Sequence, residues 1–305
     1  MDRGCNKGCL DGGRRTMKRF DFSGKRVLIT GASAGIGRAL SAQFARRGAI
    51  LALGSLPSEA GELESWAREL RRTHGTEVHT FPVDLLEEGG PERLHHEVSL
   101  RFGKVYALVN NAGTVAYGEF HETDWGRQEA TLRLNLLVPM RLMHLFLGDM
   151  VRSGEGVVFN VSSVSALQPT PFQAVYGASK AGLQSLSQAV RAELAGSGVT
   201  VCTLNPPYID TRLLRTPGYP EDLRFFKISG KKSPEWLAER AIRAFEEGRM
   251  MFIPGLANRI IHDLLVRVSP RGVVDAVSRF FLQGASRAAA KKRAGRGRGT
   301  EGTNR

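Results

Sequence analysis

From Lys25 onward the chain alternates short apolar runs with longer helical patterns, and this rhythm limits what it can fold into more than any other feature. KRVLIT, ILAL, EVHTFPV, VYALVNN, GVVFNV, VTVCTL and MMFIP read as strands, being rich in β-branched residues or Leu and bounded by turn residues. Between them, GIGRALSAQFARRG, a stretch from Ser58 to Gly75, PERLHHEVSLRF, a long stretch from Asp124 to Arg152, residues 173–198 and residues 233–248 read as helices. Strand–helix alternation demands crossover connections, hence parallel strands. The strands are apolar on both faces, as expected where helices cover both sides of the sheet. The predicted fold is α/β, a doubly wound Rossmann-type parallel sheet forming one domain over residues 21–254.

What flanks that domain differs in kind. The formal net charge is +13, but residues 1–20 carry six Lys/Arg against two Asp, and residues 284–305 carry seven against Glu301 alone. Residues 21–283 hold only +3. The basic excess therefore belongs to two Gly-rich ends that bury too little apolar surface to fold, so both read as solvated tails. Without interleaved aromatics, the tail KKRAGRGRG gives no reason to expect a specific nucleic-acid partner. Met17 is an alternative start that would remove most of the first tail. Residues 255–283 form a C-terminal extension in which Leu256, Ile260, Ile261, Leu264, Leu265 and Val268 share one helical face. Ser269-Pro270 reads as a cap and first-turn proline, opening a second amphipathic segment with Val273, Val274, Val277, Phe280 and Phe281. Packing on the domain or on another subunit is one reading of this pair; a membrane-surface contact or a lid over an apolar substrate is the other.

With 42% hydrophobic residues the chain is neither disordered, collagenous nor a coiled coil. Cys5, Cys9 and Cys202 make no disulfide framework, and no His stands near the first two at zinc spacing, so a reduced cytoplasmic protein without a metal is expected. No unbroken apolar run approaches the length of a membrane span, and the first residues lack a secretory apolar region.

Chemistry enters at two places. The first strand runs into TGASAGIG, where glycines permit a tight turn, let backbone N–H groups approach a pyrophosphate and let the helix pack closely. Its spacing is G-x-x-x-G-x-G, not the generic G-x-G-x-x-G, and a plain strand-to-helix turn is the competing explanation. The second place is Tyr176 and Lys180, whose i, i+4 spacing puts both on one helix face. An ammonium there lowers the phenol's pKa, making it a proton donor to a carbonyl oxygen. Ser163 follows the preceding strand, at the sheet edge where open α/β folds hold ligands. Taken singly, each has a structural explanation.

Taken in order, these segments resemble a short-chain dehydrogenase/reductase of the single-domain type, over about Gly24 to Pro254. The resemblance implies a cofactor loop of Gly31, Ser33, Ala34, Gly35, Ile36 and Gly37, and an adenine-side contact from Asp84 and Leu85 in FPVDL. Asn111, Ala112 and Gly113 belong to an NNAG turn similar to the family's. Asn135 in LRLNLL resembles the asparagine that supports a proton-relay water, and Ser163 the serine that orients substrate. Tyr176 then takes the general acid/base role, and Lys180 the ribose-binding, pKa-lowering one. Pro206, Ile209 and Thr211 resemble the segment over the nicotinamide, with a departure: Pro207 stands where the family has glycine, fixing φ and removing an N–H.

After the second strand the chain reads Leu53-Gly54-Ser55-Leu56, without the carboxylate that selects NAD, while Arg38, Ser33 and Ser55 stand ready for a 2′-phosphate. NADP is the expected cofactor, with NAD as the alternative. The expected function is an NADP-dependent carbonyl reductase or alcohol dehydrogenase acting on a lipophilic ketone, aldehyde or secondary alcohol, since Leu213, Leu214, Phe225 and Phe226 lie in the irregular segment 208–232. The resemblance also implies a homo-oligomer joined through the helices bearing Asn135 and Tyr176. The competing classes are a dinucleotide-binding regulator without turnover and a membrane- or nucleic-acid-associated protein acting through its basic ends.

Overall fold

The computed structural model describes residues 20–216, 218–223, 226 and 231–284. The basic tails, Cys5, Cys9, Met17 and Phe225 lie outside the described residues, as do the side chains of Leu264 and Leu265. Seven strands form one sheet, β1 (Arg26–Ile29), β2 (Ile50–Ser55), β3 (Val78–Pro82), β4 (Ala107–Asn110), β5 (Gly156–Val161), β6 (Val199–Leu204) and β7 (Met251–Phe252), in the order β3-β2-β1-β4-β5-β6-β7. Every pairing is parallel. The order reverses between β1 and β4, and doubly wound sheets open a crevice at that point.

Alternate residues of each strand feed two separate cores. Val27 and Ile29 of β1 pack with Leu51 and Leu53 on one face, against α1 (Gly35–Ala45) and α2 (Ala60–His74). Leu28 and Ala52 face the other way, toward α3 (Gly90–Phe102) and the long helix after β4. That helix starts as α4 (Trp125–Leu132), passes through a π-helical turn (Arg133–Leu137) and continues as α5 (Val138–Ser153). Asp124 caps it by accepting the Arg127 N–H at 2.9 Å. By length and mean hydropathy this helix is apolar enough to cross a membrane, which a search for unbroken apolar runs passes over. Its buried Leu142, Met143, Phe146 and Met150 face the sheet, as in a core helix. The helix α6 (Ala174–Glu193) follows β5, and α7 (Pro234–Glu246), capped by the Ser233 hydroxyl, precedes β7.

The C-terminal extension is helical, as α8 (Leu256–Arg259), a π-helical turn (Ile260–Leu265), α9 (Val266–Val268) and α10 (Arg271–Leu282). One expectation is corrected. The cap of α10 is Pro270, not Ser269, because the Pro270 carbonyl accepts the first helical bonds from Val273 and Val274. With ψ at 138° Pro270 is still extended, and a proline cap needs no N–H of its own. The chain then turns back and pairs Gly284 with Leu223 in an antiparallel bridge.

Candidate active site

The loop after β1 forms one wall of a cleft of about 560 Å³ at the carboxyl edge of the sheet. Gly31 (φ +64°) and Gly35 (φ +55°) occupy left-handed backbone that side chains disfavour. Gly37 is needed for another reason: a Cβ there would strike the Gly31 carbonyl and the Asn111 amide, so only glycine lets α1 start this close to the turn. Ala34, at the N-cap, has no side-chain acceptor, which leaves the first-turn N–H groups of α1 for an anion.

This loop is locked to the loop after β4. Asn111 Nδ2 donates to the carbonyls of Thr30 (2.9 Å) and Gly31 (3.0 Å). In return, Thr30 Oγ1 accepts the N–H groups of Asn111 (3.0 Å) and Ala112 (3.1 Å). Asn111 thus shapes the cradle as well as lining it, and the buried Thr30 hydroxyl, which the motif contains without advertising a role, is the joint.

Of the expected cofactor contacts, Gly31, Ser33, Ala34, Gly35, Ile36, Ser55, Asp84, Leu85, Asn111, Ala112, Gly113, Pro206, Ile209 and Thr211 all line the cleft, together with Tyr176 and Lys180. Asp84 accepts the Leu86 N–H at 2.8 Å, which sets its turn. Thr211 packs on Gly35, where an added Cβ would meet its methyl at 3.1 Å. Pro207 is part of the wall, and its neighbours are held from elsewhere: the Pro206 carbonyl accepts the Val164 N–H, and Ile209 pairs with Lys232.

Arg38 departs from expectation. Its guanidinium stacks on the Trp66 ring, 4.1 Å from the centroid, and faces Glu69 at 3.6 Å. It does not line the cleft. The expectation that no carboxylate stands at the β2 end is also corrected. Glu59, in a 3₁₀ turn after β2, reaches the cleft, accepts a 2.6 Å hydrogen bond from Ser33 Oγ and faces Arg212 at 3.6 Å. Arg212 also holds Glu62 at 2.8 Å. The cation on this rim is Arg212, which follows β6; its distance from β2 in sequence is what hid it.

At the other end stand the reactive side chains. Ser163 caps a short 3₁₀ turn, accepting the Ser165 N–H at 3.1 Å, on the same cleft as the Tyr176 phenol. Both are buried and line the cleft. Burial raises the Tyr176 pKa and the polar Ser163 hydroxyl works against that rise. Lys180 is drawn down to about 8 by burial. Its Nζ donates to the Val161 carbonyl at 2.9 Å and lies 5.8 Å from the centre of the Tyr176 ring. The helix spacing does bring the two together, but burial leaves the phenol's pKa raised and not lowered, and the ammonium points at a strand carbonyl.

Asn135 sits fully buried in the π-helical turn, a distortion that often marks a functional segment. Its side chain accepts the Thr114 N–H at 2.9 Å and donates to the Thr114 carbonyl at 2.8 Å, holding the loop after β4. Gly113 keeps space between neighbours: a Cβ would lie 2.9 Å from Asn135 Oδ1 and 3.7 Å from Lys180 Nζ.

The wall beside Tyr176 is aromatic and apolar. Leu213, Leu214, Tyr208, Tyr219 and Val115 line it, and Phe226 packs behind. Gln173 Nε2 donates to the Tyr219 hydroxyl at 3.2 Å. Tyr117 packs tilted on Tyr219, centroids 5.2 Å apart, and stacks on Phe172, which holds a left-handed φ of +68°. Gln173, Tyr208 and Tyr219 carry no motif: Gln173 opens a helical pattern, and the two tyrosines lie in the irregular segment 208–232. Glu119, His121 and Glu122 bring ligand atoms within 4.8 Å of one another, but they are largely exposed and such groups are common without an ion.

This arrangement of glycine cradle, buried phenol, serine and lysine defines an oxidoreductase site. The family model for short chain dehydrogenases matches residues 25–219. The chain belongs to that family. It is similar to a fatty acyl-CoA reductase of Mycobacterium tuberculosis, 30% identical over 231 residues, covering 75% of this chain and 77% of the relative. Among solved structures it is similar to a short-chain dehydrogenase from Sphingobium yanoikuyae in complex with NADPH (TM-score 0.72, 29% identity, 79% of this chain and 91% of that one). It is also similar to one from Burkholderia phymatum in complex with NAD (TM-score 0.71, 26% identity, 82% and 94%).

Proposed function

We propose that the chain is an NADP-dependent reductase of lipophilic ketones or aldehydes, able to run in reverse on the secondary alcohol. The observation that carries this reading is that Tyr176, Ser163 and Lys180 are buried together and line the same cleft as the glycine cradle. The cradle fits a dinucleotide, since its glycines occupy conformations and spaces that side chains would fill. A bound nicotinamide supplies the hydride.

The protein's own groups do the rest. Ser163 holds the substrate oxygen, and Tyr176 donates its phenolic proton to that oxygen. A raised pKa keeps the phenol protonated, which suits the reductive direction. Lys180 is the buried cation beside the phenolate that remains when Tyr176 has given up its proton, and the phenolate regains a proton from solvent before the next turnover; Asn135 fixes the loop that carries Gly113. On the β2 side, Ser33, Ser55 and Arg212 are the groups for a 2′-phosphate, and Glu59 is partly neutralised by Arg212. The lining of Leu213, Leu214, Tyr208 and Tyr219 favours an apolar substrate body. The similar Burkholderia phymatum structure in complex with NAD keeps NAD as the alternative cofactor. Exposed Leu132, Leu137 and Met140 on the Asn135 helix support a homo-oligomer.

The test is NADPH oxidation against ketones and aldehydes graded by chain length, with Tyr176→Phe beside the wild type. Turnover that rises with chain length and vanishes in the variant supports the reading. Equal turnover in the variant overturns it.

A further inference from the structure

We propose that α8–α10 form a docking surface for an anionic lipid membrane, placed against the wall of the substrate pocket. The helix α10 is seated on the domain by one face, through the half-buried Val274 and the buried Ser278 and Leu282. Its other face is apolar too. Val273, Val277 and Phe280 follow i, i+4, i+7 spacing and are 52%, 48% and 53% exposed. Leu256, Ile260 and Val268 continue the exposed apolar set through the preceding helices. A soluble helix that has already buried one side normally turns polar residues outward, so this second apolar stripe faces something other than water.

Charge decides between the two occupants such a stripe admits. Residues 256–305 carry eleven Lys/Arg against three Asp/Glu, whereas residues 20–255 carry 26 against 25. A second copy seated on the same stripe would bring two strongly basic segments together, an unfavourable like-charge meeting. An anionic lipid surface is complementary to the same charge, and an apolar stripe followed by a polybasic segment is a combination that holds interfacial helices.

The surface is tied to the site. The Tyr117 hydroxyl donates to the Leu282 carbonyl at 2.7 Å, Tyr117 packs on Tyr219 of the cleft wall, and Gly284 pairs with Leu223. Docking therefore places the apolar wall of the cleft next to the bilayer. The inference does not depend on the proposed reductase reaction.

The experiment is flotation of the full-length protein with vesicles of phosphatidylcholine alone and with about 30% phosphatidylglycerol added, at about 0.05 and 0.5 M salt. Expected is recovery with the anionic vesicles that weakens at high salt. V277E/F280E should lower partitioning by about ten-fold or more, with an unchanged melting curve because both side chains are exposed. Deletion of residues 285–305 should remove the salt-dependent part. Failure to float with anionic vesicles overturns the proposal, as does undiminished flotation of V277E/F280E. Light scattering supplies the last arm: a dimer that V277E/F280E splits assigns the stripe to a second copy and overturns the membrane reading. A dimer that survives the double variant uses another face and supports it.

Discussion

Lys180 Nζ donates to the Val161 carbonyl at 2.9 Å, so the buried ammonium is held by the central sheet and not by the phenol one helical turn before it. Burial lowers its pKa from 10.5 to about 8. A base depressed in the folded state binds fewer protons than in the unfolded chain between about pH 8 and 10.5. Stability contributed by this group therefore rises with pH across that window, by an amount on the order of 3 kcal/mol. The buried Cys202 thiol, raised to about 12, opposes this above pH 9, because there the unfolded chain loses the proton first. Urea unfolding of the nucleotide-free wild type and Lys180→Met isolates the lysine. The variant should be more stable at pH 7, its advantage shrinking toward pH 10. A pH-independent difference sinks the assignment.

Replacing Tyr176 by Phe should reduce turnover about 10²- to 10⁴-fold with little change in nucleotide affinity. Because the Ser163 hydroxyl works against the rise in the phenol's pKa, Ser163→Ala should move the ascending limb of alcohol oxidation to higher pH. Steady-state pH profiles of both variants read these effects, and a limb that stays in place in Ser163→Ala removes the serine from the proton's path.

Cofactor choice should depend on Glu59 and Arg212. Removing the carboxylate with Glu59→Gln takes a negative charge off the cleft, leaves Arg212 paired with Glu62 alone and should raise the NADPH-to-NADH ratio of kcat/KM by about five- to ten-fold, and Arg212→Gln should lower it by a similar factor. Arg38→Gln should leave the ratio unchanged, since that guanidinium lies on Trp66. A large effect at Arg38 with none at Arg212 would reverse the assignment.

Gly177, inside the YGASK segment, has no room for a side chain, because a Cβ would strike Thr170 Oγ1. Gly177→Ala should destabilise by about 1–3 kcal/mol. Thr170→Ala in the same chain should recover much of that loss. Equilibrium unfolding of the two single variants and the double variant measures the coupling, and strictly additive losses would place the strain elsewhere.

The strands and helices were legible because period and turn chemistry are local. GVVFNV and VTVCTL fill β5 and β6 to the residue, and Gly75 ends α2 in the left-handed conformation that a glycine stop predicts. The glycine loop, Ser163, Tyr176 and Lys180 were legible because their spacing along one turn or one helix already fixes their relative positions. Arg38 was misread because helix position gives the direction of a side chain but not the ring waiting beside it. Glu59, Arg212, Gln173, Tyr208 and Tyr219 were not seen as site residues because each becomes one only through a neighbour from a distant segment.

By itself, then, the order of residues determined a parallel α/β sheet and placed the glycine turn and the Tyr176–Lys180 pair in it, since each follows from a pattern within a few turns of chain. Tertiary structure alone decided the electrostatics. Whether a lysine lowers a phenol's pKa, which arginine stands at the cleft and which apolar face of α10 the domain leaves uncovered depend on desolvation and on partners drawn from elements far apart in sequence, and no local pattern encodes those sums.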